Sequence, residues 1–208
     1  MATDHEYAVI DHPRAAIGRW LGAVAGGVAA ASTLLAPALT DWFDKLHLAI
    51  GTPKAVIIPV TAGMAFWAVH TAFDKLIWRW ALVRMFLKIP DLNGVWLVEG
   101  VTKNPVEGAP DTWQGELRIT QSWEKIWVQL KTGQSVSTSK AASLLREPGA
   151  GCVLMYSYRN EPRMGEQITP HVGYAELTFD QGLTGAEGDY FNSKGRTTYG
   201  RMTLTGRK

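Results

Sequence analysis

The chain changes its repeat within one stretch, LIWRWALVRMFLKIPDLNGVWLVEG (76–100). Up to Ile89, apolar residues are spaced by the single cations Arg79, Arg84 and Lys88, the pattern of a helix running into a lipid headgroup layer. Pro90 stops that helix, since it has no N–H to donate and its ring clashes with the preceding turn. Beyond it the segments are short, β-favouring and partly alternating, with Gly, Pro, Asn and Asp between them. The chain therefore reads as two parts: residues 1–90, helical, and residues 91–208, sheet.

Toward the N-terminus lie two runs without a formal charge, WLGAVAGGVAAASTLLAPALT (20–40) and AVIIPVTAGMAFWAVHTAF (55–73). At about 1.5 Å rise per residue, each is long enough to cross a hydrocarbon core of roughly 30 Å. The predicted transmembrane helices cover about 17–40 and 55–88, joined by a short external loop. The first run is mild in hydropathy but patterned: Gly18, Gly22, Gly26 and Ala30 recur every four residues, a stripe that lets another helix approach closely. A helix rich in Ala and Gly in a soluble core is the competing reading. A signal peptide would need a positive n-region, and Asp4, Glu6 and Asp11 oppose Arg14 and Arg19. Lys75, Arg79, Arg84 and Lys88 follow the second run with only Asp74 opposed. The positive-inside rule then puts both termini in the cytoplasm and the loop outside, with Trp42 and Phe43 at the outer interface. His70, near the cytoplasmic end of its span, reads as an interfacial neutral imidazole.

Toward the C-terminus the predicted strands are 94–101, 113–122, 125–132, 135–145, 152–160, 172–180, 183–190 and 196–206. Leu117 and Ile119 alternate with Glu116, Arg118 and Thr120, and Met202 and Leu204 with Arg201, Thr203 and Thr205. One face is buried and the other wet, as in antiparallel sheet. The predicted fold is thus an N-terminal transmembrane helical hairpin followed by a small all-β, eight-stranded antiparallel β-barrel, with a two-sheet sandwich as the competitor. Such a barrel has room for side chains or one small ligand.

Charge and composition narrow the function. Residues 1–90 carry 8 Lys/Arg and 6 Asp/Glu, residues 91–208 carry 13 of each, so the net +2 sits in the helical part. A neutral sheet domain argues against DNA or RNA binding, which needs a basic face. The single cysteine, Cys152, excludes an internal disulfide and a cysteine zinc site. His171 is the one histidine after residue 90, so no His-based metal cluster is available, and no nucleophile elbow or phosphate loop is present. No enzyme activity, metal or cofactor is expected.

What the strands do contain is polar and aromatic material at every second position. Ser135, Ser137 and Ser139 share a face, as do Tyr156, Tyr158 and Asn160, and as do Arg196, Thr198 and Gly200 in GDYFNSKGRTTYG (188–200). Aromatic faces stack on bases, guanidinium forks pair with phosphate, and hydroxyls and amides read ring edges. Serine and threonine ladders also occur on plain exposed faces, and FNSKG is an ordinary turn.

In order, two apolar helices, then LNGVW (92–96), ITQSW (119–123), SVSTS (135–139), YSYRNEP (156–162), HVGYAEL (171–177) and GDYFNSKGRTTYGRMTL (188–204), make the chain resemble a known family. This is the two-transmembrane, β-strand-rich effector family of bacterial CBASS anti-phage systems, associated with CD-NTases. The resemblance implies a barrel that senses a cyclic dinucleotide made by a CD-NTase. It further implies helices that self-associate into homo-oligomers in the lipid bilayer of the inner membrane and disrupt it, so that the infected cell dies. At the matching positions, Tyr156, Tyr158, Tyr190 and Trp127 are candidate stacking faces, and Asn160, Asn192 and Ser137 candidate hydrogen-bonding groups. Arg196 and Thr198 are the candidates to meet phosphate. A lipocalin-like membrane-tethered barrel for a small apolar ligand is the alternative, and a scaffold docking a partner protein a third. A lipocalin should have a lumen of Leu, Val and Phe; a nucleotide sensor should turn Tyr, Ser, Asn and Arg inward.

Overall fold

A computed structural model describes residues 4–10, 12, 14–45, 54–105, 111–147 and 151–206. The chain forms two compact units, one of residues 13–83 and one of residues 1–12 with 84–208.

In the first unit α1 (Arg14–Lys45) and α2 (Lys54–Lys75) pack against each other. Ile17, Leu21, Ala25 and Val28 of α1 are half-buried at helical spacing, while Gly18, Gly22, Gly26 and Ala30 are exposed. A side chain added at any of those three glycines would meet nothing within 4 Å. Large apolar side chains also stay bare: Trp20 is 73% exposed, Leu34 82% and Trp67 69%. Among the described residues no helix is long and apolar enough to cross a membrane. The loop 46–53 expected outside, and the side chains of Trp42 and Phe43, lie outside the described residues.

The second helix does not run on to residue 88. It ends at Lys75, and a 3₁₀ turn (Ile77–Arg79) and a short helix α3 (Ala81–Leu87) follow. No Gly or Pro marks the break. Trp80 takes an extended conformation (φ −60°, ψ 138°), and the turn leaves Trp78 fully buried between the exposed Leu76 and Trp80.

The second unit is a sheet of nine described strands, not eight. They are β1 (His5–Ile10), β2 (Gly94–Thr102), β3 (Thr112–Gln121), β4 (Lys125–Thr132), β5 (Ser135–Glu147), β6 (Gly151–Pro162), β7 (His171–Phe179), β8 (Ala186–Ser193) and β9 (Tyr199–Thr205). The order β1-β4-β3-β2-β9-β8-β7-β6-β5 closes on itself as a barrel. The extra strand precedes the helices, so the expected boundary at residue 90 leaves out part of the sheet. β4 and β5 pair only where Gln129–Lys131 face Val136–Thr138, and a bulge between Ser139 and Ala141 then carries β5 away. β1 enters that gap. Residues 5–6 pair antiparallel with the start of β4, and residues 7–10 pair with Ala142–Leu145 of β5. That last pairing is parallel, a departure from the expected all-antiparallel sheet.

The interior has two halves. At the end where the chain enters β2, Trp96, Val98, Leu117, Ile119, Ile126, Val128, Leu144, Leu154, Leu177, Phe179 and Leu204 fill the lumen, with Trp96 edge-on to Phe179 at 5.2 Å. Tyr7 of β1 joins this core and donates to the Ser122 carbonyl at 3.2 Å. Cys152 is core too, and burial pushes its thiol up to about 12, so it stays protonated and inert. The other half is polar and hollow.

Candidate ligand-binding site

Inward positions change character along each strand. On β6 the series Leu154, Tyr156, Tyr158, Asn160 passes from apolar to polar, and on β7 the opposite direction gives Phe179, Leu177, Ala175, Gly173, His171. The same happens on β8 and β9, so one end of the barrel encloses a cavity of about 280 Å³. That is close to the lower limit of roughly 300–1,000 Å³ for small-molecule sites. The cavity reaches the exposed β4–β5 turn at Gly133 and Gln134.

Its aromatic walls rest on missing side chains. Tyr158 stands across from Gly173, and Trp113 of β3 across from Gly100 of β2. A Cβ on either glycine would collide with the facing ring. β7 presents only Gly173 and Ala175 between the tyrosines of β6 and Tyr190 of β8, which leaves the space open. Tyr156 and Tyr158 are tilted neighbours at 5.9 Å, and Trp113 meets Tyr190 edge-on at 5.8 Å.

Hydrogen bonds hold these walls in place. Tyr158 donates its hydroxyl to Asn192 Oδ1 at 2.8 Å, and Asn192 Nδ2 donates to Thr198 Oγ1 at 2.8 Å. Tyr190 Oη shares a 2.8 Å bond with Thr102 Oγ1 and accepts from the Trp113 indole at 3.2 Å. Asn160 spends both amide hydrogens on Ser135 and Ser137, each at 2.8 Å, which leaves its buried Oδ1 without a partner. Arg196 Nε is likewise buried and unpartnered. Buried polar atoms of this kind call for a hydrogen-bonding partner.

Electrostatically the cavity is sparse. Among the described residues lining it there is no carboxylate, and Arg196 is its full positive charge. Burial pushes the phenols of Tyr156 and Tyr158 upward, so both stay neutral donors. Desolvation lowers His171, with Arg196 adding to the effect and contacts to Thr169 and Asn192 opposing it. Among the described residues no cluster of His, Cys, Asp and Glu could hold a metal ion.

Eight of the nine residues picked from the sequence line this one cavity: Ser137, Tyr156, Tyr158, Asn160, Tyr190, Asn192, Arg196 and Thr198. Trp127 does not. It sits between the buried Ile126 and Val128 and so points to the outer face of β4. Trp113, Thr102, Ser135 and His171 line the cavity and were not singled out as site residues. Each shares parity with inward neighbours: Trp113 with Leu117, His171 with Gly173, and Ser135 with Ser137 and Ser139.

A closed sheet whose cavity joins tyrosine faces, amides, hydroxyls and one guanidinium, attached to a helical pair with bare apolar faces, defines a membrane-associated receptor for a small polar ligand. Residues 87–206 match the family model described as the Cap15 cyclic dinucleotide receptor domain, and residues 15–79 the model of the Cap15 TM helices. The chain belongs to the Cap15 family, and the resemblance to CBASS effectors is borne out. It is 41% identical over 203 residues, covering 97% of its length, to CD-NTase-associated protein 15 of Yersinia aleksiciae, of which 96% is covered.

Proposed function

We propose that this protein is a CBASS antiviral effector without catalytic activity, in which the polar half of the barrel seats a cyclic dinucleotide and the helices act on the inner membrane. The observation that carries the reading is the cavity itself, where unpartnered Arg196 Nε and Asn160 Oδ1 lie among Tyr156, Tyr158 and Tyr190. A cyclic dinucleotide brings two phosphates and two bases, which a few placed donors, acceptors and rings can meet without a basic surface. The lipocalin alternative needs an apolar lumen, and here the apolar half is occupied by a cluster of buried side chains.

The sheet also bears on topology. β1 and β2–β9 belong to one sheet but flank the helices in sequence, which supports a chain that returns to the side from which it left. Two crossings do that and one does not. With Lys75, Arg79, Arg84 and Lys88 on the return side, both termini and the barrel are cytoplasmic. Ligand binding can drive self-association only if the ligand prefers the assembled state. The exposed stripe Gly18, Gly22, Gly26, Ala30 is the surface for that assembly.

The test uses the full chain in lipid nanodiscs, because residues 91–208 alone would lack β1. Calorimetric titration with cyclic dinucleotides should show binding, and Arg196→Ala should weaken it about ten- to a hundred-fold, the size of a lost charge-assisted hydrogen bond. A folded Arg196→Ala protein that binds like wild type would show that the phosphate donor lies elsewhere.

A further inference from the structure

Among the described residues lining the cavity, His171 is the one group whose ordinary pKa lies near neutrality. It opens β7 with 6% of its surface exposed, in register with Asn160 of β6. Its Nδ1 lies 2.8 Å from the carbonyl oxygen of Thr169. A carbonyl only accepts, so Nδ1 keeps its hydrogen in either charge state and Nε2 is the nitrogen that titrates.

We propose that His171 is the partner of Arg196 in the phosphate subsite of the cavity, and that it takes up a proton at Nε2 when the phosphate of a cyclic dinucleotide arrives. This rests on the sensor reading and deepens it. In the free protein a second cation beside Arg196 has no counter-charge, since none of the described lining residues is a carboxylate. Burial and the Arg196 charge together hold the imidazole below its usual range, against the weaker pull of Thr169 and Asn192. The neutral ring then has no hydrogen at Nε2 to offer a phosphate oxygen. An incoming phosphodiester reverses both conditions: it neutralises the field of Arg196 and rewards a donor at Nε2.

Other groups facing the ring do not compete for that proton. Asn160 and Tyr158 approach from β6, Asn192 from β8, Arg196 from the segment after β8, and Thr169 from its own strand's approach. The Arg196 guanidinium has no acceptor for a proton, the Tyr158 phenol is held up by burial, and the amides and Thr169 do not titrate. The sign follows. The ring's pKa is low in the free protein and raised in the complex, so affinity is greatest at low pH. It falls as pH rises from the free to the bound value, by at most about tenfold per pH unit for one proton.

The experiment is calorimetry on the full chain in nanodiscs, with cyclic di-AMP, cyclic di-GMP and cyclic GMP–AMP as probes. It is run at pH 6.5 and 7.5 in two buffers of different ionisation enthalpy. The probe that binds should take up a substantial fraction of one proton, and its Kd should rise about three- to tenfold between the two pH values. His171→Gln, which keeps an uncharged N–H near the place of Nε2, should bind with no proton uptake and one Kd at both pH values, weaker than wild type at pH 6.5. Binding without proton uptake, or with the same pH slope in His171→Gln, overturns this proposal and leaves the sensor reading standing. Binding by none of the three probes at either pH overturns both. If His171→Gln proves unfolded, the wild-type proton count and slope still decide.

Discussion

In the sheet, Gly173 lies under the ring of Tyr158 and Gly100 under that of Trp113, so the space of each absent side chain is already taken. In α1, a side chain added at Gly18, Gly22 or Gly26 would enter open space. The same residue serves two ends. In the barrel, glycine lets one part of the chain approach another, and the contact is complete within a single molecule. In the helix it prepares an approach with nothing yet opposite, beside the exposed Trp20 and Leu34. The apolar half of the sheet unit is saturated and the helical unit is not, which is the division expected if one part recognises and the other assembles. In water the bare helical faces would drive association; in lipid they are solvated, and only close van der Waals packing distinguishes one face from another.

The contrast is broken most forcefully from the saturated side. Phe179→Ala removes a fully buried ring packed edge-on against Trp96 and should destabilise the sheet by about 3–5 kcal/mol. Denaturant unfolding of the full chain in nanodiscs measures this. Trp67→Ala deletes a still larger ring but one that is 69% exposed, and should leave the unfolding free energy of the sheet unchanged. If the two variants lost comparable stability, the helical unit would be as internally packed as the barrel and the comparison would fail.

A smaller change tests the glycine seats. Gly173→Ala places a methyl group against the Tyr158 ring and 2.6 Å from the Phe191 carbonyl oxygen, which is backbone and cannot swing aside. Overpacking of this kind should cost about 1–3 kcal/mol. It should also push Tyr158 out of its 2.8 Å bond to Asn192, so ligand affinity falls along with stability. Wild-type unfolding in Gly173→Ala would mean that Tyr158 does not lie over that glycine.

These particulars also show what local pattern can reveal. Strand parity brings Ser137, Tyr156, Tyr158, Asn160, Tyr190 and Asn192 to one cavity, because a period of two leaves only two faces and hydrophobic neighbours say which is inner; Arg196 and Thr198, expected on a strand, reach it from the segment between β8 and β9. Trp127 carries the same signal: with Ile126, Val128 and Leu130 facing in, its ring must face out, and its size and chemistry obscured that. His171 opens a strand whose next inward residues, Gly173 and Ala175, are small, and small residues mark space beside a ring rather than absence of function. β1 was not legible. HEYAVI is six residues long, and what makes it a strand is a gap between β4 and β5 more than a hundred residues away, opened by a bulge. The break after Lys75 has no Gly or Pro to announce it, and the burial of Trp78 within it is a tertiary fact that local pattern does not carry.

The last test changes nothing within one chain and everything between chains. Gly22→Leu fills open space, so the unfolding free energy of a single molecule should stay at the wild-type value. Insertion should survive, because leucine is at least as apolar as glycine in a membrane helix. Affinity for a cyclic dinucleotide should also survive, since the cavity belongs to the other unit. What should fall is ligand-triggered dye leakage from vesicles carrying the protein, because a branched side chain holds neighbouring backbones apart and removes the close packing that joins helices in lipid. Val24→Leu supplies the control: it lies on the same helix, is also exposed, and adds one methylene outside the small-residue stripe. Loss of leakage in Gly22→Leu alone assigns assembly to the stripe. Equal leakage from both variants moves the assembly surface to another face, and the open glycines of α1 then have no part in the response.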